Sequence, residues 1–185
     1  RRLAAQIDSL GRKRSYHYNS ENQLIEIERP DGEKEEFGYN ILGLMKTITD
    51  AKGHTTRLQY DAAGRLIAET DPEGAKTQYR YDLANRLREH QLADGTLIYY
   101  HYDRAGLLTL RNTEEERHQF RYNNRGQIVF GQNEDATLTR DYDLNGRLTR
   151  EVIEIAEGPR HEVSYQYERD RIASMSSKPY SVSYG

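Results

Sequence analysis

Six histidines, thirty Asp and Glu residues and fifteen tyrosines are the side chains of this chain that could do chemistry. Imidazoles and carboxylates ligate metals or move protons, and each task needs them clustered at a defined spacing. His17, His54, His90, His101, His118 and His161 do not cluster. His17 and His101 share one place, just before a recurring Tyr, and the others are scattered along the chain. They read as strand histidines, and no metal site is expected. The aspartates recur in turn slots, where a carboxylate bonds downstream backbone N–H groups and so stabilises the turn itself. The chain has no EF-hand loop, RTX nonapeptide, GxSxG, HExxH, P-loop or dinucleotide fingerprint. No catalytic, cofactor-binding or metal-binding residue is therefore expected, and an enzyme is the weakest reading. Tyr beside Arg or Lys could stack on sugars or nucleobases. A net charge of -3 without a basic stripe argues against nucleic acid. Carbohydrate stays as a minor reading.

What must position these side chains is a repeat. Tyrosines recur at Tyr18, Tyr39, Tyr60, Tyr81, Tyr102, Tyr122 and Tyr142, with a degraded copy at Tyr167. The successive spacings are 21, 21, 21, 21, 20, 20 and 25 residues. Each Tyr opens a turn, from YNSENQL through YDAAGRL to YDLNGRL. The landmarks of these turns are Asp61, Gly64 and Arg65, then Asp82, then Asp103 and Gly106, then Gly126, then Asp143, Gly146 and Arg147. A second landmark, Gly11, Gly32, Gly53, Gly74 and Gly95, precedes the next Tyr by 7 residues and fades after residue 95. Asp71-Pro72-Glu73-Gly74 has the residue preferences of a type I turn, and Gly accepts the positive φ that follows it. Asp61-Ala62-Ala63-Gly64 predicts a similar hairpin connection, with Asp61 bonded to its own downstream N–H.

Runs of about 6–8 residues between turns predict strands, and no segment carries a 3.6-residue stripe. Each repeat is thus strand, turn, strand, turn, and about sixteen strands fit in an antiparallel meander. A sheet of that width must twist and curl, so a broad, coiled antiparallel sheet is expected. A single hairpin cannot bury its apolar face, so stacked repeats must cover one another. Tyr16, Phe37, Tyr79, Tyr100, Phe120 and Tyr165 stand two residues before a landmark Tyr, where Leu58 and Arg140 break the pattern. Residues two apart share a sheet face, so aromatic ladders across the strands are expected.

Composition agrees with a thin, wet wall. Hydrophobic residues are 35%, charged residues 31% and the mean hydropathy is -1.00, so little two-sided core is expected. The many tyrosines and the low net charge argue against disorder. The lack of Cys excludes disulfides and thiolate metal sites and fits synthesis in a reducing compartment. No apolar stretch approaches the ~18 residues of a membrane-spanning helix, and no membrane partner is expected. RRLAAQID is too short and polar for a signal peptide, and without an initiator Met the native N-terminus is expected elsewhere. Arg2-Leu3-Ala4-Ala5 aligns with Arg65-Leu66-Ile67-Ala68, and SVSYG at 181–185 resembles another first strand. Flanking repeats of the same protein are therefore expected, with residues 1–185 forming one array of about eight repeats.

The units resemble the YD repeats of RHS proteins, most closely in YDAAGRLIAETDPEG (60–74) and YDLNGRL (142–148). The resemblance covers nearly the whole chain in phase, turn residues and the following Arg-Leu. Weak copies lie at 18–24, where Asn22 replaces Gly, and at 167–172. It implies an all-β fold of tandem hairpins, part of a hollow RHS β-shell. In bacterial polymorphic toxins and insecticidal Tc complexes such a shell encloses a C-terminal toxin, and in teneurins a similar shell serves adhesion. The compact DPEG and DAKG turns look more like bacterial members. The resemblance thus implies a structural wall segment in a secreted effector of the type VI kind, made in the bacterial cytoplasm and then secreted or delivered. Its implied partners are the C-terminal toxin cargo, a secretion-spike protein and a chaperone. The alternative is a cell-surface adhesion or carbohydrate-binding repeat module. The family's shell-closing core motif, with its DPxGL signature and self-cleavage aspartates, is absent, so no catalytic residue carries over.

Overall fold

The computed structural model describes residues 2–169, 171–177 and 181–183. Among the described residues there are eighteen strands and no helix. The all-β, antiparallel class expected from the repeats is the one found. The two strands beyond sixteen are short terminal ones. Two compact units divide the chain after Thr96.

Unit 1 holds β1 (Ala5–Ile7), β2 (Lys13–Tyr18), β3 (Leu24–Glu28), β4 (Lys34–Tyr39), β5 (Met45–Thr49), β6 (Thr55–Tyr60), β7 (Leu66–Thr70), β8 (Lys76–Tyr81) and β9 (Leu87–Gln91). Each pairs antiparallel with the next. Unit 2 continues as β10 (Leu97–Tyr102), β11 (Leu108–Asn112), β12 (Arg117–Tyr122), β13 (Ile128–Gln132), β14 (Ala136–Tyr142), β15 (Leu148–Ile155), β16 (Arg160–Glu168), β17 (Arg171–Ser177) and β18 (Ser181–Ser183), again as a meander.

The register sorts side chains onto two faces. In unit 1 one face carries Tyr16 opposite Ile27, Phe37 opposite Ile48, Leu58 opposite Glu69 and Tyr79 opposite His90. The other carries Ser15, His17, Glu26, Thr47, Arg57, Gln78 and their neighbours. The expected aromatic ladders differ in detail. The aromatic two before each landmark Tyr recurs only every second strand, so its direct partner is Ile, Met, Arg or Gly rather than another ring, except for His90 opposite Tyr79. Tyr79 and His90 do stack, with centroids 4.8 Å apart. At each landmark Tyr the register shifts by one residue, a β-bulge whose extra residue, Ile25, Lys46, Ile67 or Arg88 in unit 1, lies on the strand that follows the turn.

A single sheet layer buries little. The buried apolar side chains are Ala68, Ile98 and Val152, and no described polar residue is buried. Stability must come mainly from ladder hydrogen bonds and from links between neighbouring repeats.

Candidate functional site

The residues that recur most strictly gather at the YD turns, and each makes a defined bond there. Asp61 Oδ1 accepts the N–H of Ala63 (2.9 Å) and of Arg65 (3.0 Å), while Asp61 Oδ2 accepts Arg65 Nε (2.7 Å). Asp82 does the same with Ala84 and Arg86 at 2.8–2.9 Å. Asp143 repeats it with Asn145 and Arg147. Asp103 Oδ1 accepts Leu107 N–H at 2.9 Å. These bonds hold the carboxylates of Asp61, Asp82 and Asp143 below the ordinary Asp range. The Arg65 side chain is the largest cause at Asp61, and the backbone N–H of Arg86 and of Arg147 at the other two.

The glycines close the turns. Gly64, Gly106, Gly126 and Gly146 each donate N–H to the carbonyl of the residue three before, at 2.9–3.1 Å, with φ between 75° and 85°. Where the sequence lacks Gly, Asn22 (φ 69°) and Asn85 (φ 62°) take the same left-handed conformation. Asn tolerates that region better than other non-glycine residues.

The tyrosines reach back into the preceding repeat. Tyr18 OH donates to the Leu3 carbonyl, Tyr39 to Leu24 and Tyr81 to Leu66 at 2.7–3.0 Å. In unit 2, Tyr122 donates to Leu108, Tyr142 to Ile128 and Tyr167 to Leu148 at 2.7–3.0 Å. Tyr60 and Tyr102 end β6 and β10 in the same place, opposite Leu66 and Leu108. The guanidinium of Arg65 lies over the Tyr81 ring at 4.8 Å, and that of Arg147 over Tyr167 at 4.7 Å. Arg65 Nη1 also donates to Asn85 Oδ1 at 2.7 Å. One Asp–Arg pair therefore fastens a turn, and its Arg fastens the turn to the next repeat.

Sequence reasoning missed this link, although a signal for it was present. In five of the seven YD turns the residue four after the Asx matches it in charge, while Leu44 and Leu107 fill the slot after Asn40 and Asp103. Arg follows Asp61, Asp82 and Asp143, and Gln follows Asn19 and Asn123. Asn19 Nδ2 donates to Gln23 Oε1 (2.8 Å), and Asn123 Nδ2 to Gln127 Oε1 (3.0 Å). Each Gln then donates onward, Gln23 to the Gly43 carbonyl and Gln127 to the Gly146 carbonyl. The neutral pair copies the charged one.

The histidines stay apart. His54 Nδ1 lies 3.1 Å from Asp50, His118 Nε2 3.3 Å from Glu116, and His17 Nε2 3.7 Å from Glu26. Among the described residues, no three His, Cys, Asp or Glu side chains converge on a metal-sized site. Among the described residues, one open cleft of about 350 Å³ is lined by Gln6, Asp8, Arg12, Arg14 and Arg29. There Arg12 is engaged by Asp8, and Arg29 by Glu33 and Glu35.

Residues 18–57, 39–76 and 60–97 match the RHS repeat family model in overlapping registers. Among curated proteins, none matches the chain by sequence. Among solved structures, the Photorhabdus luminescens Tc holotoxin pore is similar with a TM-score of 0.68 and 16% identity, over 82% of this chain and 9% of that one. TcdB2-TccC3 without its hypervariable C-terminal region is similar with a TM-score of 0.69 and 16% identity, over 96% of this chain and 11% of that one. TcdB2-TccC3-Cdc42 is similar at 0.69 and 16% identity over 92% of this chain and 11% of that one. The chain thus spans about a tenth of the length of these proteins, and the likeness is one of fold.

Proposed function

Starting from a chain that is an RHS/YD-repeat protein, we propose that it forms a stretch of wall in a hollow RHS shell, and that the shell encloses a C-terminal toxin domain of a bacterial secreted effector. The observation that carries this reading is where the recurring chemistry goes. The Asp, Arg and Tyr of the repeat bond to one another and to backbone. They are spent on holding neighbouring hairpins in register. The mechanism is steric. A wall one sheet thick, continued by flanking repeats, keeps a toxic domain from its producer until delivery. On this reading the protein is made in the cytoplasm and then secreted or delivered, with the cargo as its main partner.

The test is limited proteolysis of the full-length protein, followed by mass spectrometry. A C-terminal domain that survives protease until the repeats unfold is the expected result. A domain cut or released early, with the repeats intact, overturns encapsulation. A cell-surface or carbohydrate-binding role, supported by the half-exposed tyrosine rings, then takes its place.

A further inference from the structure

Unit 1 is fastened by two chemically different latches along one edge. The β2–β3 turn uses the uncharged Asn19–Gln23 pair, and the next turn, at β4–β5, uses Asn40 with Leu44. The β6–β7 turn uses the ionised Asp61–Arg65 pair. The backbone bonds are the same in all three. Each Asx Oδ1 accepts two N–H groups, from Glu21 and Gln23, from Leu42 and Leu44, and from Ala63 and Arg65.

We propose that unit 1 carries a built-in acid seam: protonation of Asp61 unfastens the β6–β7 turn itself, from within, while the Asn-based turns between β2 and β5 stay closed. The geometry gives the route. A protonated Asp61 loses its charge-assisted bonds to Arg65 Nε and Nη2, at 2.7 and 2.6 Å. It also accepts less strongly from Ala63 and Arg65 N–H. Arg65 then keeps only Asn85 Oδ1 and the Tyr81 ring, neither of which carries charge. An amide side chain has no proton to gain in this range, so Asn19 and Asn40 hold their N–H donors unchanged.

The charges facing Asp61 are few. Its own turn supplies Arg65. The turn before it presents Leu44, whose Cδ1 lies 3.5 Å from where a Cβ on Gly64 would sit. The turn after it presents the neutral Asn85 and the Asp82–Arg86 pair. The sign follows from a carboxylate whose folded value lies below its ordinary one. The stabilisation is complete above the unfolded Asp value near ~4 and is lost as pH falls through the lowered folded value. The seam therefore stays shut in mild acid and opens only in strong acid.

Hydrogen exchange of the chain, corrected for intrinsic rates, tests this between about pH 5 and pH 2.5. Protection at Ala63 and Arg65 should fall by about tenfold, while protection at Glu21, Gln23, Leu42 and Leu44 changes by less than about threefold. Equal loss at all three turns, or no loss at Ala63 and Arg65, overturns the proposal. The double variant D61N/R65Q installs the chain's own neutral latch and should abolish the acid response at residues 63 and 65. A response that persists in that variant rules out the carboxylate as its cause.

Discussion

Opposite the YD edge, units 1 and 2 close the same repeat in different ways. In unit 1 the turns at 8–11, 29–32, 50–53, 71–74 and 92–95 each end in a glycine at φ between 77° and 93°. In unit 2 the turns after β11 and β13 are one residue shorter, while the turn at 155–158 keeps the unit 1 length. Thr113 N–H bonds the Glu116 carbonyl, and Asn133 N–H bonds the Ala136 carbonyl. No glycine is needed, and Glu114, Glu115, Glu134 and Asp135 are not among the residues at positive φ. The Thr113 hydroxyl accepts from Glu115 and Glu116 N–H, and Asn133 Oδ1 from Asp135 and Ala136 N–H. The drop in tyrosine spacing from 21 to 20 is this missing residue. The jump to 25 is the longer hairpin of β15 and β16, of 8 and 9 residues. The repeat tolerates changes at this edge, whereas at the YD edge the tyrosine-to-carbonyl bond is kept in both units.

The units also differ on the aromatic face. Where unit 1 sets Phe37 against Ile48, unit 2 sets Arg140 against Glu151, joined at 2.7 Å and about one-third and one-fifth exposed. Glu151 pushes the Arg140 value up, first through that hydrogen bond. Replacing Glu151 with Ala leaves a half-buried guanidinium without its carboxylate and should cost unit 2 about 1–3 kcal/mol, less than for a fully buried pair because solvent screens it. The double replacement R140F/E151I imports the unit 1 pairing and should be neutral or stabilising, with both variants read by urea titration. A loss as large as that of the single variant would show that the two faces are not interchangeable.

Next in size is V152A. Val152 is 5% exposed at the middle of β15, and its two lost methyl groups should lower unit 2 stability by about 1.5–2.5 kcal/mol. Thermal unfolding checks this, with no comparable loss expected in unit 1. Smaller still are Y81F and Y122F, which remove matching hydroxyls from the two units. Each should cost about 0.5–1.5 kcal/mol by chemical denaturation. Unequal values would show that the shared tyrosine bond is not equally important in both. The smallest effect belongs to the short turns. Inserting one Gly after Glu115 restores the unit 1 turn length and should shift stability by less than about 0.5 kcal/mol, read by the same denaturation.

Much of this was legible beforehand. Tyr at 21-residue intervals and Asp-Pro-Glu-Gly at 71–74 announced strands and turns, because turn chemistry is local and needs only a few adjacent residues. Asn22 in the glycine slot was readable for the same reason. The partner of Arg65 was not, because Tyr81 and Asn85 lie 16 and 20 residues away and meet it only once two hairpins pair. Nor was the partner of each aromatic. A bulge just after each of these YD turns sets Leu24, Met45, Leu66 and Leu87 opposite the landmark tyrosines, and nothing in the spacing marks that extra residue.

Sequence by itself determined that this chain is a tandem array of antiparallel hairpins with turns at stated residues, since period, punctuation and composition all act within one repeat. Only the tertiary structure decided how one repeat grips the next. That grip is a hydroxyl on a carbonyl and a guanidinium over a ring, and both depend on strand register, a relation between segments distant in the chain.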